Sequence, residues 1–170
     1  MFEGLLILAA AAAGQTADPL AEARAGKVQC VTPNRETKTC AGIASYTVRP
    51  DGSFDSVMTM MIVPAPLVTM EVRNSGKVEG NAVCNIVKTA DFDKAVISMD
   101  GGPVNAAMEQ AIRSQIGASI TPMEGKNACA RDKAEADVIV AEATLDGVAR
   151  PELNQRYIWV KPEDGYKIGQ

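Results

Sequence analysis

From Lys27 onward the chain is cut into short apolar runs by turn residues, and a single stretch escapes the cutting. Pro33-Asn34, Arg49-Pro50-Asp51-Gly52, Pro64-Ala65-Pro66, Asn74-Ser75-Gly76, Glu79-Gly80-Asn81, Asp100-Gly101-Gly102 and Asp146-Gly147 all read as turns. Gly and Asn accept positive φ, and Pro interrupts a hydrogen-bonded ladder. The runs between them are too short for ordinary helices and carry the period-2 pattern of strands. Val28 and Cys30 alternate with Lys27 and Gln29, and residues 41–48 form the next run. Residues 54–63, with Val57, Met58, Met60, Met61, Ile62 and Val63, predict a strand buried on both faces. Val68, Met70 and Val72 alternate with Thr69, Glu71 and Arg73, a half-exposed strand, and Val78 stands alone between turns. Residues 82–87, 95–99, 126–131, 138–145 and 156–160 complete the set, and the charged residues 132–137 read as a solvated turn.

The uncut stretch is residues 103–116. Val104, Met108, Ile112, Ile116 and Ile120 recur four apart and predict one helical stripe facing the core, with Glu109, Gln110 and Arg113 toward water and Gly117 as the stop. A shorter helix is predicted from Asp18-Pro19-Leu20 to Arg24, since Asp caps well and Pro suits the first helical position. The expected architecture is α+β: a mostly antiparallel, curved sheet of about eight strands with one central helix packed on it and tied by disulfides. A β-sandwich with an appended helix is the alternative. Residues 15–170 are expected to form one domain, a usual size for a single core.

Ahead of that region lies Leu5-Leu6-Ile7-Leu8 followed by five alanines, an unbroken apolar run of nine residues. An apolar segment this short, ending in small side chains, resembles a secretory signal peptide and falls short of a membrane span. Ala12 and Gly14 suit the positions before a cleavage site, so residues 1–14 are expected to be a signal peptide; cleavage after Ala13 or Ala17 is the alternative. The segment departs from the usual pattern in carrying Glu3 and no Lys or Arg before Arg24. The expected location is periplasmic or secreted, with no integral membrane segment after signal removal.

Four cysteines fit an oxidising compartment. Cys30, Cys40, Cys84 and Cys129 lack the close pairing of zinc or iron–sulfur knuckles and of a redox motif, and an even number in an exported chain reads as disulfides. Of the three connectivities, Cys30–Cys40 with Cys84–Cys129 is favoured: the first would close a short loop across neighbouring strands, the second would tie the middle of the chain to the strand after the helix.

The composition excludes much chemistry. With no His at all, Ser-His-Asp and Cys-His nucleophiles, His-ligated zinc and proximal-His haem are out. A formal charge of −4 argues against nucleic acid, whose binding needs clustered cations. No SxxK dyad occurs, and Gly101-Gly102 leads into Pro103 rather than a phosphate loop. Asp51-Gly52-Ser53-Phe54-Asp55 has oxygens at alternate positions but carries Ser56 and Ile62 where a calcium loop needs Gly and Glu. Asp91 and Asp93 flank Phe92 and would share one face of a strand, yet a turn cap explains them better. Met58, Met60, Met61 and Met70 are soft ligands that suit Cu(I), but Met also fills core gaps, which is the stronger reading here. Tyr157 and Trp159 alternate on the last clear strand and form a candidate partner surface, with Ile158 and Val160 on the opposite face.

The segment Asp18-Pro19-Leu20-Ala21-Glu22-Ala23-Arg24-Ala25-Gly26-Lys27-Val28-Gln29-Cys30, with Ile158-Trp159-Val160 and Asp164-Gly165-Tyr166, resembles a group of small exported alphaproteobacterial proteins of unknown function. The resemblance covers the two ends best. It implies export and one domain, and it carries no activity, cofactor or site.

The expectation is therefore a non-enzymatic binding or envelope-interaction domain that needs no cofactor and meets a protein or other envelope component. One alternative is a hydrolase-type enzyme using Asp and Glu only; the other is a periplasmic carrier of copper or a small ligand.

Overall fold

The computed structural model describes residues 17–170; the expected signal peptide, residues 1–14, lies outside the described residues. A one-turn helix, α1 (Ala21–Arg24), precedes β1 (Val28–Asn34), β2 (Thr39–Val48), β3 (Ser53–Val63), β4 (Val68–Glu79) and β5 (Ala82–Ile86). A short helix α2 (Thr89–Asp93), the hairpin β6 (Val96–Met99) and β7 (Gly102–Pro103), and the long helix α3 (Ala106–Ile120) follow. The chain ends with β8 (Asn127–Glu135), β9 (Val138–Leu145), β10 (Val148–Ala149), β11 (Gln155–Val160) and β12 (Lys167–Ile168). The expected antiparallel sheet with one main helix is what forms, as one pairing network rather than two packed sheets.

Its curvature runs to closure. β1 pairs β2, β2 pairs β3, β3 pairs β4 and β4 pairs β5, all antiparallel. β5 pairs β8, β8 pairs β9, β9 pairs β11, and β11 returns to β1 through Val28↔Val160 to Val31↔Tyr157. Eight strands in chain order therefore make a closed antiparallel barrel, which leaves these strands no free edge. The wall forks along β4. Lys77–Glu79 pair β5, whereas Val68–Glu71 pair β6, so the segment from β5 to β8 that carries α2 and α3 enters at the fork.

Alternation sets what faces inward. Gln29, Ala44, Tyr46, Phe54, Ser56, Met58, Met60, Met70, Val72 and Gly76 follow one another through the cross-strand registers onto one face. The two ends are plugged from different parts of the chain. At one end Leu20, just ahead of α1 and with no solvent-exposed surface, inserts against Phe54, Tyr46, Val78, Val83 and Trp159. At the other, Met108, Ile112 and Ile116 of α3 pack with Phe92 on Met60, Met70, Val72 and Ile97, so the predicted stripe is the packing face. A separate cluster covers the outside: Cys30, Cys40, Ile158 and Val160 lie under Val28, Ile43, Val138 and Tyr166.

Both favoured disulfides are present. Cys30–Cys40 spans 10 residues at the start of the β1–β2 hairpin, and Cys84–Cys129 spans 45 and ties β5 to β8 at directly paired positions. The second staple holds together the two strands between which α2 and α3 are inserted. Closing a loop of that length contributes about 4 kcal/mol through the unfolded chain.

Four local expectations need correction. Asn74-Ser75-Gly76 is not a turn: β4 runs through it, because Ser56 bonds Asn74 across the ladder and Gly76 is needed for close approach rather than for bending. Residues 132–135 extend β8, laddered to Val138–Ala141 of β9, and the expected solvated turn shrinks to Ala136-Asp137. α3 starts at Ala106 rather than Pro103, because the Asn105 side chain accepts the Met108 N–H at 2.9 Å while Pro103 pairs Ser98; it continues past Gly117 to Ile120. β3 is not buried on both faces: Phe54 and Ser56 are buried inside, while Val57 and Met61 are half-exposed outside.

Two glycines should respond with opposite signs. A Cβ on Gly76 would stand 2.1 Å from the Cys84 carbonyl oxygen and 2.5 Å from the Phe54 ring, so Gly76→Ala should cost about 3 kcal/mol or prevent folding. Gly117 has open space around it inside α3, so Gly117→Ala should stabilise by about 0.5–1 kcal/mol. Urea denaturation of the two variants tests both. Replacing Cys84 and Cys129 together by Ser should cost about 4 kcal/mol in the same assay, measured without reductant.

Candidate functional site

The side of the barrel built by β8 and β9 is lined with small residues. Cys84↔Cys129 and Val83↔Ala130 set the register of β5 on β8, and Ala130↔Ala143 and Asp132↔Ala141 set that of β8 on β9. Ala128, Ala130, Ala141 and Ala143 thus share one inward face, where Val or Leu would fill the barrel. The space they leave is a cavity of about 280 Å³. Gln29 of β1 and Tyr46 of β2 stand across it, Asn85 of β5 and Tyr157 and Gln155 of β11 flank the alanine strands, and Leu153 and Leu145 lie at one end. Asp132 borders this cavity and also a second, of about 560 Å³, beneath α1, where Trp159, Asn81, Asp18, Glu22 and Lys27 are neighbours.

Four aromatic rings run along the interior. Phe54 and Tyr46 meet edge-on at 5.5 Å, Tyr46 and Trp159 lie 6.3 Å apart, and Tyr157 and Trp159 meet edge-on at 5.7 Å. The two phenols inside the barrel have separate acceptors. Tyr157 Oη donates to Asp132 Oδ2 at 2.6 Å, and Tyr46 Oη donates to Gln29 Oε1 at 2.9 Å.

Burial and one another's charge set the protonation states. Burial pushes the Asp132 carboxyl above its ordinary range, and the Tyr157 hydroxyl only partly offsets this. Tyr46 is pushed up to about 12, by burial first and then by the Asp132 charge. Tyr157 moves up too, through burial and its bond to Asp132. Both phenols therefore remain hydrogen-bond donors at neutral pH. Asp18 behaves differently: partial burial would raise its pKa, but the Leu20 N–H at 3.0 Å and Arg24 at 2.8 Å hold it low, so it ties the turn ahead of α1 to the helix's last residue.

The sequence-predicted residues scatter. Tyr157 and Trp159 do share a face, but it is the inner one: Tyr157 is 2% exposed, so only the half-buried Trp159 offers solvent any surface. The outward face of β11 is the one sealed by Tyr166 and its neighbours. Met60 and Met70 are directly paired under α3, Met58 lies over Gly42, and Met61 is on the opposite face of β3, so the four do not converge. Asp91 and Asp93 lie on α2 rather than on a strand, and Asp51 accepts from Ser53 N–H and Oγ in the β2–β3 turn. Arg113, expected to face water, folds back onto the carbonyls of Phe92, Asp93 and Ala95 while Glu109 pairs with it. It joins the end of α2 to α3.

Asp132, Gln29 and Tyr46 were not singled out by the sequence. The signal for Asp132 was present: Ala128, Ala130, Asp132 and Ala134 alternate with Cys129, Arg131, Lys133 and Glu135, placing one acid on a face of small residues. Comparison with protein-family models, with curated proteins and with solved structures finds no match.

Asp132 also governs a pH effect. Its folded carboxyl holds a proton more readily than the unfolded one, so its contribution to stability is complete below the ordinary value of 3.8 and is lost as pH rises through the folded value. Asn carries no charge at either extreme and keeps an acceptor for Tyr157. The stability of Asp132→Asn relative to the parent should therefore rise between pH 3 and pH 7 in urea titrations. A difference that stays constant over that range would refute the assignment.

Proposed function

We propose that the chain is a non-enzymatic binding domain that works outside the cytoplasm and holds a small molecule inside its barrel. The observation that carries this reading is the inward row of four alanines on β8 and β9, which leaves a cavity edged by oriented polar groups where a purely structural barrel would be filled. Asp132 on the alanine wall and Gln29, Asn85, Tyr157 and Gln155 on the other strands supply donors and acceptors, and the rings and alanines supply apolar contact. This is the composition of a ligand pocket, predominantly apolar with a few placed polar groups.

An enzyme using paired carboxylates gains less support. Asp132 is the one carboxylate that lines the alanine-walled cavity, and in the cavity beneath α1 the other two, Asp18 and Glu22, are engaged by Arg24 and Lys27. The two disulfides favour an oxidising compartment, and the resemblance of the chain ends to small exported proteins points the same way. Among the described residues no helix is long and apolar enough to cross a membrane.

Filling the cavity tests the proposal. Protein isolated from the cell envelope fraction without reductant should retain a small-molecule mass in native mass spectrometry. Ala143→Leu, which places a larger side chain in the cavity, should fold and lose that mass. Bare protein from both chains, or a mass retained equally by both, would overturn the proposal. The same spectra report whether residues 1–14 have been removed.

A further inference from the structure

The cavity has a charge of one sign. Gln29, Asn85, Thr144 and Gln155 are neutral amides or hydroxyls, the phenols of Tyr46 and Tyr157 are un-ionised at neutral pH, and no Lys or Arg lines this space. Asp132 is its only formal charge. Among the described residues Asp132 takes part in no ion pair, and its one hydrogen bond is the Tyr157 hydroxyl on Oδ2. A carboxylate offers about four lone-pair sites on its two oxygens, so most of its accepting capacity is open.

The cations nearby are engaged elsewhere. Lys133 pairs Glu142 and Arg156 pairs Glu135 on the outer face of the barrel, and Lys27 pairs Glu22 beneath α1. The protein therefore places a solvent-accessible carboxylate in the cavity wall beside aromatic rings, and no Lys or Arg lines the cavity with it. A cation held against that carboxylate would form a charge-assisted hydrogen bond, stronger than one between neutral groups. Aromatic faces add to the attraction, since a cation near a Tyr or Trp ring is favoured by the ring quadrupole.

We infer that the barrel selects a small organic cation, an amine or amidine whose N–H groups sit on Asp132 beside the rings of Tyr157 and Tyr46. The inference rests on the barrel cavity being the binding site. An anion would meet the Asp132 charge without compensation, and a neutral molecule would leave that charge unpaired. Tyr157 has a positioning role here: its hydroxyl holds Oδ2 and leaves Oδ1 free to accept.

A matched set of probes tests the charge and the site separately. Benzamidine, benzamide and benzoate have nearly the same planar shape and differ chiefly in charge. Ligand-observed NMR would be run on the intact, oxidised chain, on Asp132→Asn and on Ala143→Leu. Benzamidine should bind the parent at least about tenfold more tightly than benzamide, with benzoate weakest, because a hydrogen bond to a charged partner is worth at least that factor. Asp132→Asn should bring benzamidine down to the level of benzamide, and Ala143→Leu should abolish the binding of all three. Benzamide or benzoate binding as tightly as benzamidine, with Ala143→Leu still abolishing it, would overturn the inference and leave the cavity as the site. Binding unaffected by Ala143→Leu, or no binding by any probe, would overturn both. Far-UV circular dichroism and urea midpoints establish that both variants are folded, and Ala130→Leu replaces Ala143→Leu if the latter is not.

Discussion

The ladder between β1 and β11 is the constraint on which the rest of the molecule depends. Val28↔Val160, Gln29↔Trp159, Cys30↔Ile158 and Val31↔Tyr157 join segments from the two ends of the described chain, and they turn a curved sheet into a ring. Without that closure β1 and β11 would be edges with unpaired N–H and C=O groups. With it, Gln29 and Trp159 are carried to the inner face while Cys30 and Ile158 are carried outward. Closure is costly in chain entropy because its partners are so distant in sequence. The Cys30–Cys40 bridge stiffens β1 on one side of the seam, and the Tyr166 cluster covers it from outside.

A closed barrel of eight strands has an interior that side chains can just fill, so the interior of this one is informative. At the α1 end it is filled by Leu20 and the aromatic row, and at the α3 end by Met60, Met70, Val72 and the helix stripe. Between them the β8–β9 wall presents alanines. The large side chains and the polar groups come from β1 and β2 and from the adjoining strands β5 and β11, so the cavity has one flat side and a chemically varied surround. Asp132 interrupts the flat side, and its bond to Tyr157 and its charge acting on Tyr46 couple three titrating groups in one space.

Much of the scaffold was legible locally. The hairpin at Asp146-Gly147, the stripe Met108–Ile112–Ile116 and the pairing of the cysteines rest on short-range chemistry: positive φ at turn positions, a period near 3.6, and even cysteine parity with strand geometry. The errors share a cause. Asn74-Ser75-Gly76 has turn composition, and residues 132–135 have surface composition, but cross-strand partners hold both in extended ladders. Gly76 is small for the sake of Cys84 and Phe54, residues that no local window contains together. Arg113 was placed in water on the period of its own helix, whereas the carbonyls it bonds belong to α2 and to the residues just after it.

The amino-acid sequence alone determined the segments: which runs extend, where most of them turn, which one coils, and that the four cysteines pair. Only the tertiary structure decided which side of each strand is inside. In β11 both faces are apolar, Tyr157 and Trp159 on one and Ile158 and Val160 on the other, and both are covered in the fold, one by the barrel interior and one by an outer cluster. Alternation with period 2 marks two faces without saying which is enclosed. That choice is made by closure through β1, and the same closure gathers Gln29, Tyr46, Asp132 and Tyr157, from four different strands, around one cavity.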